Sequence, residues 1–334
     1  MSEAGATPAA ASESAAAVND PAWRIVDGEP DYDVVVIGGG PAGLSAALNL
    51  VRARKRTLVL DSNRPRHSAT LVSHGFLTRD GVSPLDLRQL ARDEVSGYAE
   101  AEIQFALVSS VEQEDEHFRV RASGVRGSAD RDVTARRVVV TAGLAETLPR
   151  IQGIRSYYGT ALHSCLECDG YDKRDQPLAM IGETDDLAER ALLLTSWSDT
   201  VTAFTNGSDV ALSVVGEETL LAAGVTVERR PIAEITGDRT GMTGITLDDG
   251  TALDIRAGFI RPVWTAPLDY LAALPLDRDD DGLVRIDSVG RTSLPGVYAA
   301  GDITPPGPQQ LIVAAGAGAK VSAAILADAI HAKR

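Results

Sequence analysis

Asp33 to Asp61 reads DVVVIGGGPAGLSAALNLVRARKRTLVLD: an apolar run, a glycine-rich turn, a helical stretch and a second apolar run. Strand, turn, helix and strand in that order make a βαβ unit, whose two strands are expected to lie parallel. The turn is Gly38-Gly39-Gly40-Pro41-Ala42-Gly43, a G-x-G-x-x-G that follows the strand directly and opens the helix. Gly38 permits the sharp turn, Gly40 lets backbone approach a pyrophosphate, and Gly43 lets helix and strand pack closely. The first helical turn, beginning at Pro41 and Ala42, offers unpaired N–H groups to phosphates. Asp61 lies 23 residues after Gly38 and closes the second strand, where a carboxylate can grip ribose hydroxyls. These residues predict a dinucleotide site, suited by itself to NAD or FAD.

Residues 178–204 repeat the pattern as LAMIG, an acidic turn, a helix and TVTAF. The repeat predicts an internal duplication of a nucleotide-binding fold. Between the two units lie the loop-like stretch HGFLTRDGVSPLDL, a helix from about Pro84 to Tyr98, and β-rich sequence reaching VVVTAG at 138–143. Beyond residue 260 come GVYAAGDI at 296–303 and an Ala- and Gly-rich helix over 309–331. The expected fold class is therefore α/β, with two Rossmann-like domains of three-layer ββα organisation, the second inserted in the first. The expected limits are 31–146 and 262–334 for the first domain and 147–261 for the insertion.

With 334 residues and 44% hydrophobic content, the chain can bury two cores. Its net charge of −15 repels nucleic acid and anionic membrane, so neither is an expected partner. No apolar run approaches the roughly 18 residues that span a bilayer. The first 30 residues are rich in Ala, Ser and Glu and lack the basic start and apolar stretch of a signal peptide. They read as a disordered tail, and a cytoplasmic location is expected.

The only two cysteines are Cys165 and Cys168. In a reducing compartment this C-x-x-C reads as a redox pair or as half of a metal site. Zinc needs four ligands, and His67, His74, His117 and His331 are scattered without ligand spacing, so no metal is expected. A redox pair needs a proton carrier nearby. Asp169 is the first candidate and His163 the second. The pattern Asp277-x-Asp279-x-Asp281-Gly282 imitates a calcium loop, but Ser288 stands where its terminal Glu belongs; it reads as a hairpin turn.

Cys165-Leu166-Glu167-Cys168-Asp169-Gly170 and Thr292–Asp302 (TSLPGVYAAGD) resemble segments of the thioredoxin reductase family. The resemblance runs from about residue 33 to 330. It implies FAD at the first turn, with Gly301 and Asp302 at the ribityl chain and Gln310 and Leu311 against the flavin ring. Thr141-Ala142-Gly143 matches the family's strand-end turn, which puts Ala142 and Gly143 beside the dinucleotide. The resemblance further implies electron exchange between FAD and a dithiol or disulfide through Cys165 and Cys168, in an enzyme expected to be a homodimer.

The family's second glycine motif, for NADPH, is broken here. Its match is Gly182-Glu183-Thr184-Asp185-Asp186-Leu187, with Thr184 and Leu187 where a glycine and a small residue belong. A side chain at Thr184 obstructs close approach to a pyrophosphate. Glu183, Asp185 and Asp186 are expected to cap the helix start and repel phosphates. Phe204-Thr205-Asn206-Gly207-Ser208 has no basic cluster for a 2′-phosphate. The chain in this respect is similar to gliotoxin- and holomycin-type dithiol oxidases, which pass electrons from a small dithiol to oxygen and often carry a loop like Gly75–Gly81. A neighbouring branch takes electrons from ferredoxin to reduce thioredoxin, and Asp169 follows the reductases. The expected substrate is therefore a small dithiol or a thioredoxin-like protein, exchanged without NAD(P)H. A conventional NADPH-dependent reductase and a non-catalytic flavin-binding regulator are the alternatives.

Overall fold

The structure is a computed structural model, and it describes residues 28–305 and 307–331. The segment expected to be a disordered tail lies outside the described residues up to residue 27. The opening motif folds as read: β1 (Tyr32–Ile37), α1 (Pro41–Arg52) and β2 (Thr57–Asp61), with β1 and β2 parallel from Val34–Thr57 to Ile37–Leu60. After α2 (Pro84–Ser96) come three long strands, β3 (Ala101–Glu114), β4 (His117–Gly124) and β5 (Arg131–Val140). Their length lets each outer strand serve two layers. Ala101–Phe105 of β3 pairs parallel with β2, and the rest of β3 pairs antiparallel with β4. β5 likewise pairs with β4 through Arg131–Ala135 and with β1 through Ala135–Val140.

The chain leaves this layer at β6 (Ala145–Thr147), passes short α3 (Ile154–Tyr157), β7 (Leu162–His163) and α4 (Leu166–Asp169), and enters the second βαβ unit. That unit is β8 (Leu178–Ile181), α5 (Leu187–Leu194) and β9 (Val201–Phe204), followed by α6 (Val214–Ala222) and β10 (Thr226–Glu228). An antiparallel trio follows, β11 (Ile232–Asp238), β12 (Gly241–Leu247) and β13 (Ala252–Leu253), before β14 (Ala257–Ile260) returns to the sheet. The second sheet runs β10-β9-β8-β14-β7, all parallel. β15 (Val263–Thr265) pairs antiparallel with β6, so the outgoing and returning connections form one two-stranded ribbon. The chain then rejoins the first sheet at β16 (Val297–Ala299), beside β5, and ends in α7 (Leu311–His331). Two Rossmann-like layers, the second entered and left through the first, are the fold expected from the repeat.

α7 corrects one expectation. It is long and apolar enough to cross a membrane by length and composition, although no run of that kind was expected. Ten of its 21 residues are Ala or Gly, and these small residues let it press against α1. A Cβ at Gly318 would overlap the carbonyl oxygen of Ala42, and Val321, Ala324 and Ile325 share a core cluster with Leu44, Ala47 and Leu50 of α1. The Asp277–Gly282 stretch is a tight turn, with Gly282 at φ +79° and Asp279 Oδ1 accepting from Asp281 and Leu283 N–H.

Candidate active site

A cavity of about 500 Å³ runs between the two layers. One end is built by the first glycine turn. Gly38 has φ +110°, which only glycine adopts freely, and a Cβ there would overlap the Thr141 carbonyl oxygen. At Gly40 a Cβ would meet nothing within 4 Å, so its backbone faces open space inside the cavity. α1 starts with Gly40 as its N-cap residue and has no side-chain cap, which leaves its first N–H groups free for an anion. Asp61 is buried. Its Oδ1 accepts from the Asn63 N–H at 2.8 Å, while Oδ2 has no hydrogen-bond partner among the described residues. A buried carboxylate oxygen without a partner costs about 1–3 kcal/mol unless a ligand donates to it, and a ribose hydroxyl is such a donor.

The other end of the cavity is the redox pair. Cys165 and Cys168 form a disulfide across α4. Leu166, buried in the core of the second layer, anchors that short helix, and Glu167 points to solvent. Cys165 stands at the N-cap position, and its Sγ accepts from the Cys168 N–H at 3.2 Å. Asp169 and His163 line the same cavity. His163 Nδ1 is 3.1 Å from Asp169 Oδ1, and Nε2 is 2.9 Å from the Thr160 carbonyl oxygen.

Of the catalytic and flavin-binding residues expected from the sequence, all but Gly43 and Gly301 line this one cavity: Gly38, Gly40, Pro41, Ala42, Asp61, Ala142, Gly143, His163, Cys165, Cys168, Asp169, Asp302, Gln310 and Leu311. Gly43 and Gly301 act behind it. A Cβ at Gly43 would overlap the Gly38 carbonyl oxygen, and one at Gly301 would come 2.9 Å from Ala42 Cβ. Both glycines let the elements that form the wall close up.

Several lining residues gave no signal in the sequence, because a loop and the returning connection deliver them. Arg66 donates to Asp302 Oδ2 at 2.9 Å, lies over the Trp264 ring, and keeps a buried Nε without a partner. The Tyr270 hydroxyl is also buried and has no hydrogen-bond partner among the described residues; burial pushes its pKa up, so it stays a neutral donor. His74, from the 70–82 loop, reaches across to Asp172 at 3.0 Å, with Asp80 on its other nitrogen at 3.5 Å.

The second glycine turn is differently furnished, and one expectation about it needs correcting. Asp186 occupies the N-cap position of α5 but makes no cap hydrogen bond. It accepts from Thr184 Oγ1 at 2.6 Å and from Arg261 Nε at 2.6 Å. Burial pushes the Asp186 pKa up, but the Thr184 hydroxyl and the Arg261 guanidinium outweigh it and hold the carboxyl below its ordinary range. Glu183 is tied to Asn206 Nδ2 at 2.6 Å. Two of the three carboxylates are thus engaged by side chains of the protein, and of the three only Asp185 is exposed. The turn is closed by internal bonding more than by free negative charge.

A parallel sheet with a glycine turn open to a phosphate, an unpartnered carboxylate oxygen for ribose and a disulfide in the same cavity defines a flavin disulfide oxidoreductase. Residues 32–318 match the family described as pyridine nucleotide-disulphide oxidoreductase, and the chain belongs to that family. Among solved structures it is similar to HlmI (35% identity, 90% of this chain and 95% of that one, TM-score 0.80). It is also similar to the thioredoxin reductase TrxB of Bacillus anthracis (32% identity, 90% and 100%, TM-score 0.83). The thioredoxin reductase sirT of Leptosphaeria maculans is 27% identical over 290 residues, covering 82% of this chain and 88% of the relative. The chain is a thioredoxin reductase-like flavoprotein oxidoreductase, and FAD is the cofactor of this class. The open cradle at Gly40 and the free Asp61 oxygen fit FAD.

Proposed function

We propose that the protein exchanges electrons between FAD and a small dithiol or a thioredoxin-like protein through Cys165 and Cys168, without NAD(P)H. The observation that carries this reading is the pairing of a disulfide and a dinucleotide cradle in one cavity with a second turn already filled by its own side chains. FAD, when bound, supplies a two-electron partner for the dithiol. Gly38, Gly40, Pro41, Ala42, Gly43 and Asp61 would hold its adenosine and pyrophosphate. Ala142, Gly143, Gly301, Asp302, Gln310 and Leu311 would hold the flavin half. Its domain would span residues 31–146 and 262–334, and 147–261 would form the insertion that carries the cysteines.

The protein's own residues do the sulfur chemistry. A substrate thiolate attacks one Sγ of the disulfide, and the other Sγ leaves as a thiolate that needs a proton. Asp169, next in sequence to Cys168 and lining the same cavity, is the acid–base group of this reading. Oxygen and ferredoxin are the candidate outer partners, on opposite directions of electron flow. The second reading, an NADPH-dependent thioredoxin reductase, is favoured by the family description.

The test is the Cys165→Ser/Cys168→Ser double variant. Dithiothreitol should bleach the flavin of the parent protein under anaerobic conditions, and the variant should lose at least about a thousandfold in that rate, as expected when a nucleophile is removed. A double variant that still oxidised dithiols at the parent rate would refute the reading.

A further inference from the structure

The ring of His163 is held at both nitrogens. Nε2 faces the Thr160 carbonyl oxygen at 2.9 Å, and a carbonyl only accepts, so Nε2 carries a hydrogen. Nδ1 faces Asp169 Oδ1 at 3.1 Å. With Nε2–H fixed, a neutral ring would point a lone pair at a carboxylate lone pair, which repels at that distance. One proton in the gap removes the conflict, whether it is drawn on the ring or on the carboxyl.

We infer that His163 and Asp169 form a single proton-holding pair, in which His163 is a positioning residue that keeps a proton on the Asp169 side of the cavity for the leaving sulfur. The pair is well placed for this. His163 is buried, with its side chain 8% exposed against 15% for Asp169, so water competes little for the proton. Phe259 on β14 packs against the ring, with centroids 6.3 Å apart. The charged and titratable groups around it are Lys173, whose Nζ donates to the same Thr160 oxygen, Arg190, which donates to the Ser164 carbonyl, the exposed Glu167, and the cysteines themselves. Both cations are bonded to backbone carbonyls, and among these groups Asp169 is the one that faces the ring nitrogen directly.

The proposal rests on the dithiol reading above and completes its proton balance. A substrate holding one thiolate and one thiol attacks the disulfide; one S–S bond breaks and the mixed disulfide forms. The released Sγ takes the proton of the pair. The second substrate thiol then gives its proton back to the pair and attacks the mixed disulfide, releasing oxidised substrate and the second Sγ as thiolate. Two electrons move from substrate to the cysteines, and the pair ends as it began.

The test uses the FAD-loaded protein with His163→Gln and His163→Ala. Glutamine keeps bulk and one N–H donor but cannot share the proton. Anaerobic bleaching by dithiothreitol is followed from pH 5 to 9. Alkylation of the reduced cysteines by iodoacetamide is followed by mass spectrometry over the same range. Without the ring, the shared proton loses one of its two holders. Both variants should then lose about tenfold in rate near pH 8, recover toward pH 5, and shift their alkylation profile by about one pH unit relative to the parent. A glutamine variant that keeps the parent pH profiles would overturn the pair, leaving His163 a packing residue. A parent protein that dithiothreitol never bleaches would instead overturn the dithiol reading.

Discussion

At Gly40 a side chain would project into open space; at Thr184, the matching position of the second turn, one is already there, and its hydroxyl is bonded to Asp186. Both turns sit between a parallel strand and a helix, and both begin with a glycine. The first leaves a carboxylate oxygen of Asp61 unpartnered. The second consumes its acids, Asp186 on Arg261 and Glu183 on Asn206. A βαβ frame alone does not define a nucleotide site; which polar groups the turn leaves unsatisfied matters as well.

The sharpest contrast between the turns is in their glycines. Gly43→Ala drives a Cβ into the Gly38 carbonyl, an overlap with backbone that costs about 1–3 kcal/mol and opens the wall of the cradle. The variant should purify with little or no flavin, read as the ratio of 450 to 280 nm absorbance. For Gly182→Ala the nearest atoms are side-chain carbons, Leu187 Cδ1 at 3.2 Å, Arg261 Cβ at 3.4 Å and Leu187 Cβ at 3.7 Å. It should keep its flavin and stay within about 1 kcal/mol of the parent. Equal flavin loss in both would break the contrast.

A smaller effect separates the acids. Asp61→Ala removes the expected ribose acceptor, and FAD affinity should fall about 10–100-fold, the value of one or two hydrogen bonds to a charged group. Isothermal titration of the apoprotein measures it, and an unchanged affinity would deny Asp61 that role. Asp186→Asn should leave FAD affinity alone and show only in stability. Its carboxyl pKa is lowered in the folded protein, so its contribution is present above the ordinary carboxylate range and is lost as pH falls through the folded pKa. The melting-temperature gap between parent and Asp186→Asn should be a few degrees or less at neutral pH and shrink below about pH 4. A gap that widened in acid would contradict the ion pair.

Much of this was legible in the sequence because it is local. The periodicity of 33–61, the positions of its glycines and the C-x-x-C spacing each depend on neighbours within a few residues. Thr184 and Leu187 likewise mark, locally, where the second turn departs from the glycine motif. What the sequence misjudged was the state of the acids there: nothing local to Asp186 reveals Arg261, 75 residues away. Arg66 was hidden for the same reason, since its partner Asp302 is 236 residues distant. The His163–Asp169 contact spans only six positions, yet the two read as separate candidates with no pairing, because β7 and α4 set the ring's direction. α7 was misjudged in the opposite sense: its small residues serve close packing on α1, and composition alone does not reveal a packing partner.

The account stands most directly on which reductant reaches the flavin. Anaerobic stopped-flow mixing of the FAD-loaded protein with dithiothreitol, and separately with NADPH and NADH, reads both routes at 450 nm. Losing contacts worth about 1–3 kcal/mol each at the second turn weakens dinucleotide binding by orders of magnitude, and hydride transfer needs the nicotinamide firmly held. The expected result is bleaching by dithiothreitol, abolished in the double cysteine variant, with little or no bleaching by either nucleotide on the same timescale. Rapid bleaching by micromolar NADPH would contradict the account and make the protein an NADPH-dependent reductase with an unusual pocket.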